Sequence, residues 1–179
     1  MKVRLDQFNK DWFKHGNKLK IVLWTICSII FIRTAFPWPM FMKKILLQIF
    51  GSKLGKGFVI KPQVNIKYPW KLTIGDYVWV GEKVWIDNLV SVDIHNHVCI
   101  SQGAMLLTGN HDYKKSSFDL KVGKIILKNG VWIGAKSVVC FGVVCEENSV
   151  LSVSSVATKN LLPNKIYQGN PATPKKDRF

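Results

Sequence analysis

The sequence predicts a mainly β chain in which short strands turn tight corners and stack coil on coil. Three observations predict it. Aliphatic residues recur at every sixth place, at Leu127, Ile133, Val139 and Leu151, with Cys145 in the one gap. Four places after each stands a second set, Val131, Ser137, Val143, Ser149 and Ser155, all small or β-branched. The same pair of series runs earlier, as Ile74, Val80 and Ile86 with Val78, Val84 and Val90, then Ile94, Ile100 and Leu106 with Val98 and Ala104. A period of six matches neither the 3.6 of a helix nor the alternation of an ordinary strand. It fits one inward aliphatic per short segment, with each coil burying its core only against its neighbours. From Ile66 to Ile74, and again from Ile86 to Ile94, the step is eight. Each reads as a two-residue bulge at a corner, after which the register resumes.

Length and charge bound what surrounds the stack. A chain of 179 residues that is 47% hydrophobic holds one domain with a real core, plus at most an appendage. The net charge of +15 is unevenly placed. Residues 1–50 hold nine Lys or Arg against two Asp, and the last fifteen hold Lys165, Lys175, Lys176 and Arg178 against Asp177. Such an excess suits nucleic acid, an anionic membrane face or a phosphorylated ligand. It sits at the ends, away from any helix-turn-helix or aromatic RNA motif, so no nucleic-acid partner is expected. Cys27, Cys99, Cys140 and Cys145 form no CxxC pair and no zinc spacing, and there is no secretory signal with a cleavage site. They read as small buried residues in a reducing cytoplasm.

Residues 1–50 are expected to form a basic, apolar helical segment. The run "IVLWTICSIIFI", 21–32, carries no charge but is shorter than the roughly 20 residues that span a bilayer. Arg33, Pro37 and Pro39 interrupt the chain after it, and "FMKKILLQIF" forms a second amphipathic stretch. Two uses are open and compatible. One is a helical cap on the first coil. The other is an interfacial hairpin at a membrane, with Lys10, Lys14, Lys18, Lys20, Lys43 and Lys44 meeting anionic lipid and Trp24 and Trp38 at headgroup level. Residues 51–160 hold the coils, and within them 112–124 leave the beat as an inserted loop. "DYKKSSFD" in that loop is polar material of the kind that carries function. Residues 161–179 form a C-terminal extension, in which Pro163, Pro171 and Pro174 break regular structure.

The repeats "IGDYVWVGEKVWI", "VWIGAKSVV" and "IHNHVCISQGA" resemble the left-handed parallel β-helix of hexapeptide-repeat acyltransferases. In that family "GNPA", here Gly169 to Ala172, marks the segment that leaves the prism and runs back along it, and family members close their bare faces by trimerising. The resemblance therefore implies a homotrimer with sites between subunits. "TGNHDY", "YPWKLTIGDYVWVG", "ISQGA" and "FDL" are similar to the polysaccharide-biosynthesis O-acetyltransferases of the colanic-acid type, over residues 50–173. In that group the histidine of the "GNHD" motif is the catalytic base, which maps to His111. The implied activity is transfer of acetyl from acetyl-CoA to a sugar hydroxyl of a surface polysaccharide or its lipid-linked precursor. The implied place is the cytoplasm, or peripherally the inner face of the plasma membrane.

The chemistry of such a transfer supports the same residue. It needs a base that works near neutrality within reach of the hydroxyl proton, and histidine fits without a large shift. The tetrahedral oxyanion needs a donor, typically a backbone N–H. Both substrates meet in one groove, so no acyl-enzyme is required. Asp112 has two readings, a partner for the imidazole or a turn residue. "WIDNLV" lies at a bulge near a coil above His111; the matching segment in sugar acetyltransferases lines the acceptor pocket, which makes Asn88, then Asp87, the acceptor candidates. By resemblance to galactoside-type acetyltransferases the donor contacts fall on Ala135, Val153, Thr158, Lys159 and Lys176, although alanine or glycine is common where this chain has Val153 and Ser154. His95 and His97 read as exposed corner side chains, and His15 as a surface residue of the basic tail. Some β-helix carbonic anhydrases bind zinc through three histidines. This chain lacks their HxxxxH spacing after an earlier histidine, so no metal is expected. A zinc hydratase and a non-catalytic binding β-helix are the alternative readings.

Overall fold

In a computed structural model that describes residues 2–10 and 12–179, the six-residue series becomes a three-sided stack. The first coil is β1 (Lys53–Leu54), β2 (Val59–Ile60) and β3 (Asn65–Ile66). The second is β4 (Leu72–Ile74), β5 (Trp79–Val80) and β6 (Trp85–Asp87), and the third is β7 (Val92–Ile94), β8 (Cys99–Ile100) and β9 (Met105–Leu107). The chain then leaves the wall as an antiparallel hairpin of β10 (Gly109–His111) and β11 (Leu120–Val122). The fourth coil follows as β12 (Ile125–Leu127), β13 (Trp132–Ile133) and β14 (Val138–Val139). The fifth is β15 (Val144–Cys145), β16 (Val150–Leu151) and β17 (Val156–Ala157). Equivalent strands pair in parallel, in chain order, into three sheets that run the length of the stack. β18 (Lys165–Gly169) then pairs with β16, and β19 (Ala172–Asp177) folds back antiparallel on it. The expected fold class is the one observed.

Register follows the aliphatics. Ile60, Val80, Ile100, Ile133 and Leu151 stand in line, one per coil, and all are buried. The small set fills the interior beside them, and the Ser137 hydroxyl donates to the Ser152 carbonyl at 2.7 Å. At the regular corners the chain turns from one sheet to the next in a few residues through a left-handed backbone. Lys83, His97, Lys136, Asn148 and Ser154 supply it with φ between 55° and 58°. The coils also approach closely: a Cβ on Gly134 would lie 2.6 Å from the Val153 nitrogen and 2.7 Å from the Leu151 carbonyl. Only glycine fits there. Val90 departs from its series. It is half-buried, because the bulge carries it out of the interior to pack on a separate cluster of Phe13, Tyr68 and Leu89.

The gap in the aliphatic series is filled as the spacing requires. Cys145 lies inside the stack, and burial pushes its thiol up to about 12. A thiolate is the reactive form. Iodoacetamide at mildly alkaline pH should therefore leave Cys145 unmodified in the folded protein and label it fully once the chain is unfolded, as peptide mass mapping would read.

The N-terminal segment forms two helices, α1 (Lys18–Phe31) and α2 (Met40–Ile49). Asn17 caps the first, its side-chain oxygen accepting from Leu19 N at 2.8 Å and Lys20 N at 3.3 Å. Trp24, Ile32, Leu47 and Phe50 join the interior of the stack, so the helices close its open end. An uncovered first coil would offer unpaired strand edges to other chains. Two lipid-facing expectations are corrected here. Trp24 is 2% exposed and donates from Nε1 to the Ile66 carbonyl at 2.8 Å, so it sits inside the cap rather than at headgroup level. Lys43 is buried as well, with Nζ 3.4 Å from the Ile60 carbonyl, and burial lowers its pKa. Among the described residues no helix is long and apolar enough to cross a membrane.

Candidate active site

All three departures from the six-residue beat leave by the same corner, the one that follows the third strand of a coil. After β3 it carries the bulge at Tyr68 and the turn Pro69–Lys71, after β6 the bulge at Asn88, and after β9 the hairpin. The three are stacked on successive coils, roughly 4.8 Å apart. The Gly123 amide donates to the Thr108 carbonyl at 2.9 Å and closes the base of the hairpin. The excursion therefore begins at Gly109, before the polar loop expected from the sequence, and His111 stands within its first strand, opposite Leu120.

The His111 ring is held on both sides. Phe118, in the left-handed region at φ 51°, stacks on it with centroids 4.3 Å apart and planes 8° from parallel. Phe8, from the N-terminal segment, packs at 5.7 Å. Nδ1 lies 3.0 Å from the Phe118 carbonyl oxygen. A carbonyl only accepts, so Nδ1 carries the proton and Nε2 keeps the lone pair. Asp112 is not the imidazole's partner. Its Oδ2 pairs with Lys121 Nζ at 3.1 Å and its Oδ1 accepts from Lys114 N at 3.2 Å, so it is a turn residue. The hydrogen bond from Lys121 holds its carboxyl below the usual range.

The N-terminal residues form a strap over this corner, which sequence reasoning missed because they show no period. Arg4 N donates to the Ser116 carbonyl at 2.8 Å. Phe13 packs with Tyr68 and Leu89, and Lys71 Nζ lies 4.8 Å from the Phe13 ring centre while donating to the Leu89 carbonyl. His15 is half-buried with Nδ1 3.2 Å from the Tyr68 hydroxyl, so it belongs to the strap and not to a surface tail. Between strap and hairpin lies an open cleft of about 450 Å³ lined by Asn9, Trp12, Asp112, Lys115, Asp119, Leu120 and Lys121. Its mixture of one indole with carboxylates and ammonium groups suits a polyhydroxylated ligand.

The acceptor candidates separate. Asn88 is fully buried; its Oδ1 accepts from Tyr68 N at 2.9 Å and its Nδ2 donates to the Tyr68 carbonyl at 2.6 Å. Both ends of the amide clamp one bulge to the next, so the expectation that it faces a ligand is corrected. Asp87 is partly exposed, 2.8 Å from Lys67 Nζ, and its carbonyl accepts from the Thr108 hydroxyl at 2.8 Å. That contact ties it to the root of the hairpin.

The donor candidates fall on two corners. Thr158 and Lys159 follow β17, on the same corner as the hairpin and two coils further along. They line a groove of about 350 Å³ with Tyr167 and the segment Pro171–Pro174. Lys176 lies on β19, opposite Ile166. Ala135 and Val153 stand instead on the corner before the third strand, joined by Ser154 N donating to the Ala135 carbonyl at 2.9 Å. One subunit does not bring the two groups together.

His95 and His97 are exposed at a corner, His97 stacked on Tyr77 at 5.3 Å. A zinc centre needs three or more ligands converging on one point. Among the described residues no three His, Cys, Asp or Glu side chains are grouped to hold a metal ion.

No protein-family model matches the chain. It is 36% identical over 170 residues to the colanic acid biosynthesis acetyltransferase WcaF of Escherichia coli (strain K12), covering 93% of this chain and 91% of that one. It is 28% identical over 137 residues to the galactoside O-acetyltransferase of the same organism, covering 72% and 65%. Among solved structures, the hexapeptide-repeat acetyltransferase VCA0836 of Vibrio cholerae, complexed with acetyl coenzyme A, superposes with a TM-score of 0.83 at 19% identity, over 98% of this chain and 96% of that one. A galactoside acetyltransferase in complex with coenzyme A superposes with a TM-score of 0.81 at 21% identity, over 93% and 86%.

Proposed function

Because the chain belongs to the family of colanic acid biosynthesis acetyltransferases, a hexapeptide-repeat family, we propose that it moves an acetyl group from acetyl-CoA to a sugar hydroxyl in surface-polysaccharide biosynthesis. The observation that carries this reading is the His111 ring, fixed by the Phe118 carbonyl with Nε2 left as the acceptor. Nε2 takes the proton of the acceptor hydroxyl as its oxygen attacks the thioester carbonyl. The tetrahedral intermediate collapses with loss of the C–S bond, and the thiolate recovers the proton from the imidazolium. The products are an acetyl ester and free CoA thiol.

On the acceptor side, Asp87 is the residue retained, and Asn88 takes a supporting part behind it. On the donor side, Thr158, Lys159 and Lys176 would meet the phosphates and pantetheine arm, with Ala135 and Val153 supplied by a neighbouring subunit. A homotrimer, in which adjacent prisms meet along their edges, would join the two corners that one chain keeps apart. The reading puts the enzyme in the cytoplasm, within reach of the inner face of the plasma membrane.

Thiol release from acetyl-CoA, measured against a panel of free, nucleotide-linked and lipid-linked sugars, tests the reaction. Thiol should appear with at least one sugar, together with a base-labile ester on that sugar. No release with any acceptor, or an amide product, would overturn it. Lys159→Ala should raise the KM for acetyl-CoA by up to about fivefold, the scale of an exposed ion pair, with kcat unchanged and the effect fading as salt is added.

A further inference from the structure

The helical cap presents two faces, and among the described residues the inner one packs on the stack. Outward on α1 stand Leu19, Val22, Leu23, Ile26, Ile29 and Ile30, each 47–66% exposed, in a stripe along the whole helix. Phe41, Ile45 and Ile49 continue it on α2, and between the helices Phe31, Met42 and Leu46 line an apolar groove of about 220 Å³. A contiguous apolar surface of this kind marks an interaction site. Its surroundings carry one sign of charge. From residue 12 to residue 75 the sequence holds eleven Lys or Arg and no Asp or Glu, and Lys14, Lys18, Arg33 and Lys53 are exposed around the cap.

We propose that this face docks on an anionic lipid bilayer, with the α1 and α2 side chains entering the interface and the surrounding cations meeting the headgroups. The charge selects the occupant. A second copy of the cap would set two wholly basic surfaces against each other, with no carboxylate on either side. A nucleic acid would leave nine apolar side chains without a partner. An anionic membrane satisfies both parts, since apolar burial and attraction to headgroups add in an amphipathic interfacial helix. α1, at 14 residues, is too short to span a bilayer and suited to lie in its surface. Docking by the cap leaves the hairpin, two coils further along, open to acceptors at the membrane surface.

Flotation of the full chain with vesicles tests this. Vesicles of phosphatidylcholine with phosphatidylglycerol should carry the protein at low salt, and phosphatidylcholine alone should carry much less. Ile26→Glu with Ile29→Glu should weaken binding at least about tenfold, the worth of one buried aliphatic side chain, while the melting temperature and thiol release stay unchanged. Lys18→Glu with Arg33→Glu should weaken binding and flatten its salt dependence. Failure of the unsubstituted protein to float with anionic vesicles would overturn the proposal. So would equal binding by the Ile26 and Ile29 variant, or dissociation of an oligomer by it in light scattering, which would assign the face to another subunit.

Discussion

His111→Ala lowers kcat by about 10² to 10⁴, the usual contribution of a general base, and leaves the KM for acetyl-CoA close to that of the unsubstituted enzyme. The groove proposed for the donor lies two coils away along the stack, so on this reading losing the ring removes the proton acceptor and leaves that groove intact. His111→Asn sharpens the test. Its amide nitrogen can take the place of Nδ1 and donate to the Phe118 carbonyl, yet it offers nothing where Nε2 stood. The same loss in both variants would assign the effect to Nε2. Phe118→Ala keeps the carbonyl and removes the stacked ring, so it should lose less than either. Thiol release by His111→Ala within a few-fold of the unsubstituted enzyme would end the general-base mechanism.

How far the sequence revealed this site depends on what each feature repeats. The stack was legible because every coil restates it: six-residue spacing can be counted, and the buried positions agree from Ile60 to Leu151. The break at His111 was legible for the same reason, as a fault in a series. The ring's partner was not. Asp112 is adjacent in sequence and carries the obvious charge, yet Lys121 holds it, and a main-chain carbonyl seven residues on does the orienting. Backbone groups leave no residue-type signal. The strap of Phe8, Trp12 and Phe13 was equally hidden, since its contacts reach the coils through irregular chain. Trp24 and Lys43 misled because composition marks an aromatic and a cation as interfacial, whereas each found a carbonyl at the top of the stack. The apolar stripe of α1 shows the converse, a surface visible in the composition whose direction only the packing gave.

Asn88→Ala should destabilise the fold by about 2–4 kcal/mol, because it strips the buried N–H of Tyr68 of its acceptor and leaves the Tyr68 C=O with the Lys71 N–H alone. The melting temperature should fall on the order of 5–15 °C for a chain of this size. Asn88→Leu fills the space but supplies neither bond, and should lose nearly as much. Activity would fall only as the two bulges move, because Asn88 clamps Tyr68 while Asp87, next to it, anchors Thr108 at the root of the hairpin. A direct role in holding the sugar predicts the opposite pattern: a raised acceptor KM with an unchanged melting temperature. The distinction follows from burial. An amide sealed between two coils acts through the backbone it holds, so its removal is felt first in thermal unfolding and only then at the hairpin.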